Sequence, residues 1–192
     1  LGSSPAQIHN YLRDQVGIDI YAGSLRGARG VLAGKSGNVL DRASLAIALL
    51  RAAGFSARYA QGTLSASDTR TLVARSLANP LRVLGCFNPN PIRDVVGDFT
   101  LDTEAQTHYW VEYAPTGAGP FTAMDPSFEG AALGQTFAAV VQTFTSIPAP
   151  LRHTVRLRID AETFTQAAAA FGLGLGSRSV LDQTFETAEL VD

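Results

Sequence analysis

After Pro5, apolar residues recur at Ile8, Tyr11, Leu12 and Val16, the spacing of one buried helical stripe, which predicts a first helix from Pro5 to Val16. Ile18 to Leu25 alternates only weakly and runs into Gly23, Gly27, Gly30 and Gly34, so it reads as a loop. The pattern sharpens at Ser36. Asn38 is a good N-cap, Asp41 three residues on resembles the acidic half of a capping box, and an apolar run follows to Arg51. A helix is expected over about Leu40 to Ala53, stopped by Gly54. Because Ala43, Leu45, Ala46, Ile47, Ala48, Leu49 and Leu50 cover nearly every face, this helix is expected to be central and buried on most sides.

Ser56 to Leu64 reads as a strand beside that helix. Residues 65–105 show less regularity, with breaks at Asn79-Pro80 and Asn88-Pro-Asn-Pro91, and are expected to be an insertion or long connection. Thr107 to Tyr113 and Phe121 to Met124 are short apolar-aromatic runs either side of Pro115-Thr-Gly-Ala-Gly-Pro120, a hairpin pattern. Beyond Phe128, Phe137 to Phe144 looks helical and Leu151 to Ile159 alternates as a strand does. Asp160 is expected to cap a short helix through Phe171, and a last strand is expected around Val180 to Ala188. The result is an α+β class: helices packed on an antiparallel sheet built from strands near 57, 108, 121 and 155. The last 60 or so residues would extend that sheet or bridge to a following domain.

Composition changes little in this picture. The chain has 192 residues, 46% of them hydrophobic and 17% charged, enough for one globular unit with a sizeable core. Fifteen Lys and Arg against seventeen Asp and Glu leave a net charge of −2, so no broad field steers nucleic acid or an anionic membrane toward it. No stretch approaches the roughly 20 apolar residues of a membrane span. The opening Leu1-Gly-Ser-Ser-Pro5 lacks a charged-then-apolar signal pattern, and the abrupt ends read as those of a piece from a longer protein. A single cysteine, Cys86, excludes an intrachain disulfide and leaves the redox compartment open. His9, His108 and His153 are far apart and no metal-ligand spacing occurs, so no metal or other cofactor is expected.

Three separated segments carry candidate chemistry: Gly37-Asn-Val-Leu-Asp-Arg-Ala43 leading to Arg51-Ala-Ala-Gly54, then Ala57-Arg-Tyr59, then His108-Tyr-Trp-Val-Glu112 followed by Met124-Asp-Pro-Ser127. In this order they resemble the transglutaminase-like superfamily of the papain-like fold. The resemblance runs over about residues 5–130, so the expected division is a core over 1–130 and an extension over 131–192. In active members a cysteine at a helix N-terminus is the nucleophile, a histidine its base and an aspartate the group that orients the histidine. The resemblance places His108 and Asp125 in the second and third positions and Val39 in the first. Valine has neither a nucleophilic atom nor a proton to give, so the acyl-enzyme route cannot start there. Asn38, Trp110 and Tyr21 are expected to line the old cleft.

The chain is more closely similar to a cysteine-less subset found in large bacterial exported proteins of the Rhs type. That implies a non-catalytic binding or scaffold module of a secreted or cell-surface protein. Its partners would be a peptide or protein in the cleft or neighbouring domains, with no nucleic acid and no membrane insertion. An amide hydrolase or acyl-transferase working through the His108/Asp125 pair with another nucleophile or water is the alternative. Neither Cys86, Ser36 nor Ser44 is well placed to be that nucleophile: Cys86 precedes a Pro-rich turn, Ser36 sits in an ordinary turn, and Ser44 points away from Val39 along the helix. Arg51 and Arg58 read as structural ion-pairing or stem-packing residues, and Trp110 as core with its indole N–H bonded.

Overall fold

The computed structural model describes residues 4–77, 99–115, 119–164 and 175–190, and Cys86 lies outside them. Helix α1 spans Pro5–Gln15, begun by a Ser4/Gln7 capping box with Pro5 in its first turn, and buries Ile8, His9, Tyr11 and Leu12. Strands β1 (Gly17–Ile18) and β2 (Ser36–Gly37) pair in parallel and flank helix α2, Gly27–Gly34. Helix α3 runs over Val39–Ala52, one residue from the expected bounds, and ends at Gly54, whose φ of 87° only glycine adopts readily. Ten of its fourteen residues are buried, so it is the central helix that its apolar run predicts.

Helix α2 departs from the loop expected there. Its glycines weaken it on their own, but the Asp41 carboxylate accepts the backbone N–H groups of Arg26 and Gly27 at 2.7 and 3.0 Å, supplying the missing cap at its N-terminus. Tertiary contact thus wins over propensity. The acidic half of the capping box in α3 is corrected by the same bonds: Asn38 accepts the Asp41 N–H at 2.8 Å as a cap should, but the Asp41 side chain turns to α2 instead of back to residue 38.

Strands β3 (Phe55–Thr63), β4 (Thr107–Pro115), β5 (Thr122–Met124) and β6 (Gln142–Phe144) form an antiparallel sheet in the order β5-β4-β3-β6. Two helices, α4 (Ala66–Leu77) and α5 (Phe99–Gln106), replace part of the irregular connection expected before β4. A signal for α4 was present in Ser65-x-x-Asp68, where Ser65 Oγ accepts the Asp68 N–H and donates to its carboxylate.

Phe137 to Phe144 is not helical. The segment crosses β3 at Gly62, and the Val141 N–H donates to the Gln61 carbonyl at 2.7 Å before β6 pairs along the open edge of β3. That edge offered unpaired backbone groups, which outweigh the helical pattern of the side chains. With the edge taken by β6, the strand near 155 does not join the sheet as expected. It becomes β7 (Thr154–Phe164), paired with β8 (Leu175–Glu186) as a separate antiparallel ribbon. The helix expected from Asp160 is corrected too, since β7 continues to Phe164 and the remainder lies outside the described residues. A register shift at Ile159/Asp160 is the only mark left at that point.

Candidate active-site remnant

Strand alternation decides what β4 presents. Tyr109, Val111 and Tyr113 alternate with His108, Trp110 and Glu112, so the two sets project from opposite faces of the strand. Val111 is paired with Met124, and Asp125, the next residue, therefore comes out on the His108 side. The outcome is a direct bond: His108 Nε2 lies 2.7 Å from Asp125 Oδ2, both side chains wholly excluded from solvent.

The pair is held from all sides. The Trp110 indole stacks on the imidazole at 5.8 Å and 26°, Phe128 leans on it at 6.0 Å, and Phe137 packs against Phe128 at 4.0 Å. Directly across β3, Gly62 is the register partner of His108, and a Cβ there would stand 2.3 Å from the Ala139 carbonyl oxygen. Only glycine lets the backbone at 138–139 cross so low. Burial by itself pushes the Asp125 carboxyl up; the charge and hydrogen bond of His108, with the Ser127 hydroxyl and backbone N–H, outweigh it and hold the carboxyl below the usual range. His108 Nδ1 and Trp110 Nε1 are buried without a partner among the described residues, so the expected bond to the indole N–H is not found.

Three arginines that the sequence did not single out fix the segment carrying Asp125. Arg42 Nη2 donates to the carbonyls of Leu12 and Pro126 at 2.5 and 3.2 Å, Arg75 to those of Ser127 and Arg13 at 2.7 and 2.5 Å, and Arg13 to that of Ala131 at 2.9 Å. Burial disfavours the Arg42 charge and brings its pKa down to about 9, helped by Arg75 and opposed by Asp125 and Asp19. No pattern short of the folded chain marks the clamp, because the carbonyls that it holds are distant in sequence; Arg13 is also paired with its neighbour Asp14. His9 is also buried; burial lowers its pKa, while hydrogen bonds to Asn10 and the Asp125 backbone work the other way.

Val39 is the first residue of α3 after its N-cap. It shares with Trp110, Met124, Arg42 and Ser127 a cavity of about 10 Å³, the room of a single water. Asn38 and Tyr21 are bound to each other: the Asn38 N–H donates to the Tyr21 hydroxyl at 3.1 Å, and its amide donates to the Tyr21 carbonyl at 2.8 Å. The Tyr21 hydroxyl donates in turn to Asp41 at 2.7 Å. Ser44 donates to the Leu40 carbonyl and accepts from Tyr59, while Ser36 receives a bond from Arg26. Arg58 pairs with Glu112 and lies over the Phe121 ring at 3.9 Å.

The family model of the transglutaminase-like superfamily matches residues 3–126, a span that includes Val39, His108 and Asp125. The chain belongs to the transglutaminase-like superfamily. A search of the curated proteins and one of the solved structures each returned no match. The α+β architecture, with its central helix on an antiparallel sheet, is consistent with a transglutaminase-like fold. Among the described residues no cluster of His, Cys, Asp or Glu could hold a metal ion, and no helix is long and apolar enough to cross a membrane.

Proposed function

We propose that this transglutaminase-like domain is non-catalytic, a scaffold or binding module in which valine has taken the place of the nucleophilic cysteine. The observation that carries the reading is Val39 itself: an inert side chain opening α3 in a chain whose His108–Asp125 bond is intact. In this reading the pair is kept as a buried polar clamp between β4 and β5. Its complete burial supports that role, since neither side chain is open to solvent and Phe128 packs on the imidazole. The small volume beside Val39 favours a scaffold over a ligand held in the old cleft.

The proposal extends to the parent molecule. Residues 1–130 form the family core and 131–192 an extension that packs over it, the whole being one module of a larger bacterial exported or cell-surface protein, in contact with neighbouring domains.

The test is activity in the purified protein with glutamine donors, amine acceptors and peptide amides. No turnover is expected, and His108→Ala should alter stability without altering any rate. Turnover that disappears in a folded His108→Ala variant would overturn the proposal in favour of an enzyme using another nucleophile or water. A second measurement addresses the lost position: in Val39→Cys on a Cys86→Ser background, the new thiol is expected to alkylate no faster than a free cysteine of pKa about 8.5. Rapid, selective modification near neutral pH would show an activating environment still in place, contrary to a purely structural pair.

A further inference from the structure

A second cavity lies away from the His108–Asp125 pair and shares no lining residue with the small one beside Val39. It is an open cleft of about 290 Å³. Half of its wall comes from the family core, through Ser24, Ser44, Arg51 and Tyr59, and half from the extension, through Thr145, Ser146, Arg152, His153 and Glu186. At about 30 Å³ per water in the liquid, the space holds roughly ten waters, more than enough for a small organic acid of five to seven heavy atoms.

Its chemistry is graded from floor to rim. The floor is buried hydroxyl: Ser24, Ser44 and Tyr59 are each less than a tenth exposed. Their protons are already committed, Ser24 to the Asp41 carboxylate at 2.6 Å, Ser44 to the Leu40 carbonyl at 3.0 Å and Tyr59 to Ser44 at 3.1 Å. What these oxygens have left to offer is lone pairs, so the inner end calls for a donor.

The rim is cationic. Arg51 is fixed there by bonds to the carbonyls of Ala57 and Thr145, both 3.0 Å, and Arg152 by two bonds to the Ile147 carbonyl. The one carboxylate in the lining, Glu186, is paired with Arg152 at 2.5 Å, which leaves the Arg51 charge uncompensated within the cavity. A guanidinium held in advance by backbone carbonyls suits an incoming carboxylate.

We propose that this cavity is a binding site for a small carboxylate carrying a hydrogen-bond donor, an amino or hydroxy acid, with its acid group at Arg51 and its donor on the Ser44/Tyr59 floor. The site needs both halves of the chain, which gives residues 131–192 a role beyond covering the core. Because no residue of the triad remnant takes part, it stands or falls independently of the non-catalytic reading.

The experiment is isothermal titration of the whole protein with L-serine, glycolate, acetate and ethanolamine at constant ionic strength. L-Serine or glycolate should bind saturably, acetate at least several-fold more weakly for want of a donor, and ethanolamine not at all. Arg51→Gln should weaken binding at least tenfold. Ser146→Trp, a substitution at the exposed rim that obstructs the cavity and leaves the core untouched, should abolish it, with the fold of both variants checked by near-UV circular dichroism. Absence of saturable binding by any of the acids, equal binding of ethanolamine, or binding that survives Ser146→Trp would overturn the assignment.

Discussion

Asp41 accepts five hydrogen bonds, from the hydroxyls of Tyr21 and Ser24 and from the backbone N–H groups of Leu25, Arg26 and Gly27. An asparagine has one acceptor oxygen and would turn an NH₂ donor toward other donors. Asp41→Asn should therefore lower stability by about 2–4 kcal/mol in urea unfolding, several times the cost of an ordinary surface change. Asp125 has a different signature. Its carboxyl is depressed in the fold, so its contribution is present above the unfolded pKa of about 3.9 and fades as pH falls through the lower folded value. The difference in Tm between the wild-type chain and Asp125→Asn should be flat above about pH 5 and shrink below about pH 4, as read from melts across that range. At this scale the sequence was informative: an ordered motif placed His108 and Asp125 seventeen residues apart, and the fold bonds them directly. Motif alone could not foresee Asp41 as a hub, since a capping position and a network node carry the same letter.

Elements were legible where local pattern and tertiary demand agreed. α1, α3, β3 and the β4–β5 hairpin stand within a few residues of their expected places because their stripes and stops match their packing. Elements that draw support from distant backbone were not. α2 exists through the carboxylate of α3, and β6 through the free edge of β3. The dependence can be measured. Gly27 opens α2 with φ at 61°, and a Cβ there would stand 2.9 Å from that of Ala188, so Gly27→Ala should cost about 1–3 kcal/mol by thermal or urea unfolding. Gly62→Ala meets a backbone oxygen instead of a flexible side chain, and should detach the chain at 138–141 from β3. Loss of amide protection at Val141, with β4 still protected, is the expected reading.

For the molecule as a whole, stability is unevenly shared. The core around α3 and the sheet is closed, whereas the β7–β8 ribbon has only two strands and leaves Val155, Leu157 and Ile159 46–48% exposed. Two-stranded ribbons are marginal without a packed face. Hydrogen exchange should accordingly be faster by orders of magnitude at residues 155–161 than at 57–61 or 109–113, and equal protection would mean that the ribbon is covered in solution.

The arginine clamps behind Asp125 have a bearing on salt. Arg42 and Arg75 hold that segment through peptide oxygens, dipoles that neither titrate nor attract a counter-ion cloud. By contrast, the exposed Arg156–Asp182 pair of the ribbon is one that mobile ions readily screen. Concentrated brine would thus loosen the periphery first and leave the segment around Asp125 nearly indifferent, a tolerance that comes from pairing cations with neutral acceptors.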